Sequence, residues 1–513
     1  MKFMTMIFVI AASAFLLASC AEPRPAGIPA ELRAIIEASR AIAMPPLHPD
    51  FEKIVAGFLT PNLNAETDVR VAESIRQHGR PDFAMIAEPC PVSGLERLVL
   101  DLNRGISQED AAEEIRFLFD LLRYGYAGYQ YFGGDDIFLP MRDSMLEQLA
   151  LMGDPVPLYS YLNDLLAPAL RGAIADNHFW IHNARIGAPL YAMHMSDEFV
   201  LRRSGSGFVA EIDGAAHRLV GMALRDGTPV DAVVPTLTRE GEFAFAFGIF
   251  AREDDPDARE IIALLERAET GERHSRSVSL LPLANYSLST RPTIETHEEG
   301  GIPVFVSRNF RGGTNWLQTR ADFMQSGIAM RNKPLLIIDV RGNTGGIREL
   351  AGAWVNHYAR EVPRRELTFV DHSLVSATIE AMRARRALLR PRWHNLGSLH
   401  GHGLGRGFIP NENVVIVLTD NAVVSAGEYF VGLLRQLENT LFVGTSTQGT
   451  LVSSRTTTIA LPRSGLDITL GSSLNLRPDL SQFEGVGFLP DLWVPPGESL
   501  ERVLAFIERY GLK

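Results

Sequence analysis

At 513 residues, with 46% hydrophobic and 21% charged residues, the chain is too long for one compact core and too apolar for disorder, so two or three folded units are expected. A formal net charge of -12 gives no electrostatic footing for a polyanionic partner, which argues against nucleic acid. Two cysteines, Cys20 and Cys90, exclude a disulfide framework.

Residues 1–20 read as a secretion signal. Lys2 is their only charge, and the mainly apolar run from Phe3 to Leu17 is short for a membrane-spanning helix. The segment Leu17-Ala18-Ser19-Cys20 resembles a bacterial lipobox, whose cysteine becomes the new N-terminus and carries lipid. Ala21 in place of Asp resembles the outer-membrane sorting pattern. This resemblance implies a lipoprotein anchored through an acyl chain such as palmitate on Cys20, in the cell envelope at the outer membrane, facing the periplasm or the cell surface. An ordinary cleaved signal is the alternative. Residues 21–45 are rich in Pro and Ala and are predicted to be a tether.

Residues 46–185 are predicted to form a helical domain. Ser107 followed by Asp110 resembles a helix cap, and Ala111, Ile115, Leu118 and Leu122 recur at helical spacing. Tyr124, Tyr126, Tyr129, Tyr131 and Phe132 read as a packed corner of that unit, and Cys90, between Pro89 and Pro91, as a buried or loop thiol. Residues 186–290 alternate apolar and polar positions between turns at Asp213-Gly214 and Asp226-Gly227, which predicts a β-rich module, a small barrel or sandwich. Within it, the charged stretch from Arg252 to Arg276 reads as a solvated helix and connection. From 291 to 513 strands and helices alternate.

Two segments in that last region carry chemistry. Leu335-Leu336-Ile337-Ile338-Asp339-Val340-Arg341-Gly342-Asn343-Thr344-Gly345-Gly346 reads as a buried strand feeding a glycine turn whose amides can hold an oxyanion. Val414 to Asp420 is a second buried strand, and Ser425-Ala426-Gly427-Glu428 opens a helix. Ser425 at a helix N-terminus is either a plain N-cap or a nucleophile favoured by free amides and the helix dipole. His394, His400 and His402 lack the acid or cysteine that would complete a metal site, and no metal or organic cofactor is expected.

The order of these motifs, with Val443 to Gly449 and Phe483-Glu484-Gly485-Val486-Gly487-Phe488-Leu489-Pro490-Asp491 downstream, resembles the tail-specific (C-terminal processing) peptidase superfamily, family S41. The resemblance implies an α/β chain whose C-terminal domain, 291–513, has the crotonase-like ββα organisation, behind a helical cap domain and the β-rich middle module. The glycine-rich carboxylate-binding loop of a PDZ module is not convincingly present in the middle. The Ser-Lys branch of the family places a lysine where this chain has Thr450, a hydroxyl that cannot act as the base. The other branch, similar to the tricorn core protease, takes a histidine from the preceding domain and a glutamate after the nucleophile. Asp176-Asn177-His178-Phe179-Trp180-Ile181 resembles its histidine segment.

That branch implies Ser425 as nucleophile, His178 as general base and Glu484 as a supporting carboxylate, with Asn177 also able to orient the ring. The implied oxyanion donors are the amides of Ala426 and of Gly345 or Gly346. The expected activity is peptide hydrolysis through an acyl-enzyme in the bacterial envelope, on a peptide or protein substrate. An ester hydrolase with the same triad, or a catalytically inactive binding protein of the same fold, would share these motifs.

Overall fold

The computed structural model describes residues 29–43, 48–58, 100–286, 293–312, 315–360, 368–371, 399–400 and 408–512. The expected signal, the expected lipidation residue Cys20, and also Cys90, His394 and His402 lie outside these residues. The architecture is the expected mixed α/β one.

Its centre is a six-stranded sheet. In chain order the strands are β1 (Ile294–Glu299), β2 (Ile302–Ser307), β3 (Leu335–Asp339), β4 (Val414–Thr419), β5 (Thr440–Gly444) and β6 (Leu492–Trp493), paired in that same order. All pairs are parallel except the β1–β2 hairpin. Every residue of β3, β4 and β5 is buried, which is why these strands read as unbroken apolar runs: both faces of the sheet are covered. Leu336, Ile338, Val415 and Val417 point to one face, against helices α1 (Trp316–Met330), α2 (Arg348–Ala359) and α3 (Ala426–Leu434). Leu335, Ile337, Ile416 and Leu418 point to the other, where Val503, Phe506 and Ile507 of helix α4 (Ser499–Arg509) meet them.

Leu32 and Ile36 join that second core, on a helix spanning Ala30–Ala43. Part of the segment expected to be a tether is therefore an amphipathic helix docked on the folded body. Burial of these two side chains outweighs the Pro and Ala bias from which the tether was read.

The middle module is an eight-stranded antiparallel sheet built from Tyr191–Ser204, Gly207–Ile212, Ala215–Ala223, Val233–Leu237, Phe243–Arg252, Glu260–Arg267, Arg273–Ser279 and Leu281–Pro282. The charged stretch expected to be a helix is two of these strands. Ile261, Ala263 and Leu265 are buried while their neighbours are not, a period of two that the charges mask in sequence. The module leans on the C-terminal segment: the Thr236 hydroxyl donates to the Trp493 carbonyl (2.6 Å) and Arg502 Nη1 to the Leu237 carbonyl (2.6 Å).

The helical region includes Gln108–Gly125, capped by Ser107 as expected, and Gly134–Ala150. Its core is not its own, because Ile459, Leu461, Leu466, Ile468 and Leu470 of the C-terminal region are packed into it. The junction is a further sheet in which the short strand Trp180–Ile181 pairs antiparallel with β7 (Asp467–Leu476), Ile181 opposite Ile468 and Trp180 opposite Thr469. That pairing fixes the chain just after His178 to the C-terminal region.

Candidate active site

The turn after β3 is held by charge. Asp339 is almost fully buried and takes two bonds from Arg308 (2.7 and 2.8 Å) and two from the Arg341 guanidinium (2.7 and 2.9 Å). Burial alone would push its carboxyl up, but the two guanidinium groups outweigh it and hold the group well below the usual carboxylate range. Asn343 extends the scaffold: its Nδ2 donates to the Ser307 carbonyl (3.0 Å), its Oδ1 accepts the Gly345 amide (2.9 Å), and its carbonyl accepts the Val424 amide (3.0 Å). The glycine turn and the segment before Ser425 are thereby tied together.

Ser425 has φ 54 and ψ −116, a conformation that costs a non-glycine residue about 1–3 kcal/mol and persists only when its surroundings enforce it. The enforcing groups are visible. Its amide donates to Glu428 Oε2 (3.1 Å) and its carbonyl accepts the Tyr429 amide (2.9 Å) as α3 begins. The Ala426 amide, at the first position of α3, has no acceptor among the described residues, as a helix start leaves it. Gly345 (φ +75) lies against this corner: a Cβ there would stand 2.8 Å from the Val424 carbonyl oxygen, 3.0 Å from Ser425 Cβ and 3.3 Å from the Ala426 nitrogen. Glycine keeps the space beside the serine open.

The Gly345 amide itself is spent on Asn343 and is not the free donor it was expected to be, because the side chain two residues back turns to meet it. The Gly346 amide has no acceptor among the described residues.

Glu428 is fully buried and accepts four bonds. Oε1 takes the Thr447 hydroxyl and the Gly449 amide (both 2.7 Å); Oε2 takes the amides of Thr450 (2.8 Å) and Ser425. Burial pushes its carboxyl up to about 7, against the pull of these four donors. Thr450 turns its hydroxyl to Gln448 Oε1 (2.8 Å).

The histidine segment docks on the same turn. Asn177 Nδ2 donates to the Gly449 carbonyl (2.8 Å), and the Asn177 amide to Glu484 Oε1 (2.6 Å), 307 positions away. Two residues, Gly449 and Glu428, thus lead by hydrogen bonds from Asn177 to the Ser425 amide. His178 is mostly buried, with 13% of its side chain exposed, and burial lowers its pKa while Asp176 raises it. Among the described residues the Ser425 hydroxyl and the His178 ring make no direct hydrogen bond.

Glu484 was expected to support the ring, and its bonds lie elsewhere. Its Oε2 accepts the amides of Leu451 and Val452 (2.8 Å each), so with Asn177 it fastens three backbone positions from two distant segments. Burial, and then the charge of Asp176, push its carboxyl well up. Asn177 likewise spends its Nδ2 on Gly449, not on the ring, and its Oδ1 is buried with no partner among the described residues. The carboxylate nearest the ring is Asp176, at 3.9 Å from Nδ1. Sequence reasoning passed over Asp176 and underrated Glu428. Their signals were the acid two residues before His178 and the acid three residues after Ser425, the S-x-x-E spacing of a capping box.

Comparison with known proteins adds the following. Residues 307–494 match the model of Peptidase family S41. Solved structures with a related fold include mature CPAF (14% identity, covering 79% of this chain and 96% of that chain, TM-score 0.37). The photosystem II D1 C-terminal processing protease is another (15%, 77% and 96%, TM-score 0.35), as is the tricorn protease (13%, 79% and 37%, TM-score 0.32). Among curated proteins none matches the sequence. The matched segment contains both glycine-turn motifs, Ser425, Glu428 and Glu484, and leaves His178 outside it. Over residues 307–494 this chain is similar to peptidase family S41, and the activity this likeness supports is that of a serine-type peptidase.

Proposed function

We propose that the chain hydrolyses peptide bonds through an acyl-enzyme on Ser425, with His178 as general base, at the bacterial cell envelope. The observation that carries this reading is the strained Ser425 at the start of α3, beside the unpaired Ala426 amide, with the His178 segment bonded to the same Gly449 turn. A serine kept at a costly backbone angle and lifted toward a helix N-terminus is placed for attack, not for capping alone.

In the first step His178 Nε2 takes the hydroxyl proton as Ser425 Oγ bonds to the substrate carbonyl carbon. The amides of Ala426 and Gly346 stabilise the oxyanion. The proton then passes to the leaving amine as the C–N bond breaks, and water, deprotonated by the same ring, releases the acyl group. Thr450 rules out a lysine base at that position, since a threonine hydroxyl does not titrate near neutrality. Glu484 acts by fixing the backbone at Asn177, Leu451 and Val452. Anchoring rests on the lipobox-like segment ending in Cys20. Among the described residues no helix is long and apolar enough to cross a membrane.

Labelling with a fluorophosphonate tests the reading. An adduct mapped to Ser425 in the wild type, lost in Ser425→Ala and slowed by at least about a hundredfold in His178→Ala, is the expected result. No wild-type adduct would identify a binding protein, and a peptide panel left intact beside a cleaved ester panel would identify an esterase.

A further inference from the structure

A base buried as deeply as His178 needs its second nitrogen fixed and its transient positive charge balanced, and neither expected residue does this. Nδ1 is buried with no hydrogen-bond partner. Glu484 is committed to three amides and Asn177 Nδ2 to Gly449, while Asn177 Oδ1 is buried and makes no hydrogen bond to the ring or to any other described residue. Asp176 is fully buried, its Oδ1 lies 3.9 Å from Nδ1, and it is the charged group that acts on the ring. It is itself held from two sides. Oδ1 accepts the His178 amide (2.9 Å), and Oδ2 accepts the hydroxyl of Tyr126 (2.8 Å), which comes from the helical region and is fully buried. The Tyr126 ring packs edge-on against Phe179, next to the base, and a Cβ on Gly128 would collide with its hydroxyl, so the phenol has one seat.

We propose that Asp176, clamped by Tyr126, is the positioning residue that fixes the tautomer of His178 and balances its charge during turnover, while Glu484 serves the backbone. The proposal rests on the reading of Ser425 and His178 given above. Nδ1–H faces Asp176, which leaves Nε2 as the acceptor for the serine proton. Tilting the ring to bring Nδ1 within about 2.9 Å of Oδ1 closes the remaining ångström or so. When Nε2 is protonated the imidazolium meets the buried Asp176 side chain, whose charge acts on the ring. Of the other titratable groups around the segment, Glu484 feels the charge of Asp176 and in turn acts on Tyr126, Tyr131 and Arg185.

The experiment compares pH profiles of kcat/KM, together with kcat, KM and Tm, for the wild type, Asp176→Asn and Tyr126→Phe, with His178→Ala and fluorophosphonate mapping alongside. Asparagine can still accept the His178 amide, so Asp176→Asn preserves the local turn. Its kcat is expected to fall about 10²- to 10⁴-fold with KM little changed. Its acid limb moves to lower pH, because the charge that favours the protonated ring is gone. Tyr126→Phe is expected to lose less activity and to move the limb the opposite way, since an Asp176 freed of its donor holds the ring proton more strongly. A purely structural role would move neither limb. Unchanged kcat and acid limb in Asp176→Asn, with His178→Ala inactive and Ser425 labelled, overturns this proposal alone. An active His178→Ala, or an adduct elsewhere than Ser425, overturns the underlying reading and this proposal with it.

Discussion

Among the described residues Glu428 is the side chain that bonds both the Ser425 amide and the turn receiving the histidine segment, so its removal separates architecture from chemistry. All four acceptor positions of its carboxylate are taken. In Glu428→Gln one oxygen becomes an NH2 group, and two arrangements compete. If the NH2 faces Thr450 and Ser425, two amides are orphaned. If it faces Thr447 and Gly449, the Thr447 hydroxyl can rotate and accept, leaving only the Gly449 amide without a partner. The second arrangement wins by one orphaned donor, about 1–3 kcal/mol, and it preserves the bond to Ser425. Glu428→Gln is therefore expected to label with fluorophosphonate within about tenfold of the wild-type rate. Glu428→Ala orphans every donor and releases the Ser425 backbone, and should both melt lower and label at least about a hundredfold more slowly.

Ionisation adds a signature in pH. The carboxyl is raised from its ordinary 4.5 to about 7, so the folded state holds a proton over that window that the unfolded state has lost. The stabilising contribution is complete below about pH 4.5 and is lost as pH rises through about 7, on the order of 3 kcal/mol in all. Urea unfolding from pH 4.5 to 8 should show this decline in the wild type and a flatter course in Glu428→Gln. A Glu428→Ala enzyme that labels at the wild-type rate, or parallel pH courses in wild type and Gln variant, would refute the reasoning.

Three further outcomes follow from the same geometry. Ser425→Gly and Ser425→Ala should both lose the adduct, but the glycine variant should melt higher, because glycine accepts φ 54 at about 1 kcal/mol less cost. Gly187→Ala would place a Cβ 2.2 Å from Asn177 Oδ1; displacement of the His178 segment should lower kcat at least tenfold while the Ser425 elbow stays intact, read from kcat and from the circular dichroism of the folded enzyme. Arg308→Met removes one of the two guanidinium groups on buried Asp339 and should cost about 3–5 kcal/mol in urea unfolding.

The central sheet was legible because β3 and β4 are uninterrupted apolar runs that end in turn residues, and a strand covered on both faces has no other appearance in sequence. Ser425 and the glycine turn were legible for a related reason: local motifs of strand, turn and helix state their own geometry. Glu260–Arg267 was not, since only its alternate side chains are buried and its charged partners dominate the composition. The helix at Ala30–Ala43 was hidden because two buried side chains, Leu32 and Ile36, decide its fate within a stretch of tether-like composition. At the candidate site the residues were nearer to legible than their bonds. Glu484 and Asn177 were singled out for the histidine ring, yet the Glu484 carboxyl and Asn177 Nδ2 go to backbone that the sequence brings from tens to hundreds of positions away. No local pattern announces that an amide will claim a carboxylate first.

The short strand at Trp180–Ile181 has a consequence for the life of the chain. It completes its pairing only with residues 468 and 469, and the clasp at Asn177 waits for residue 484. A polypeptide still emerging from a ribosome has its histidine long before that mate arrives. The seat of that histidine is therefore complete only after residue 484 has been delivered.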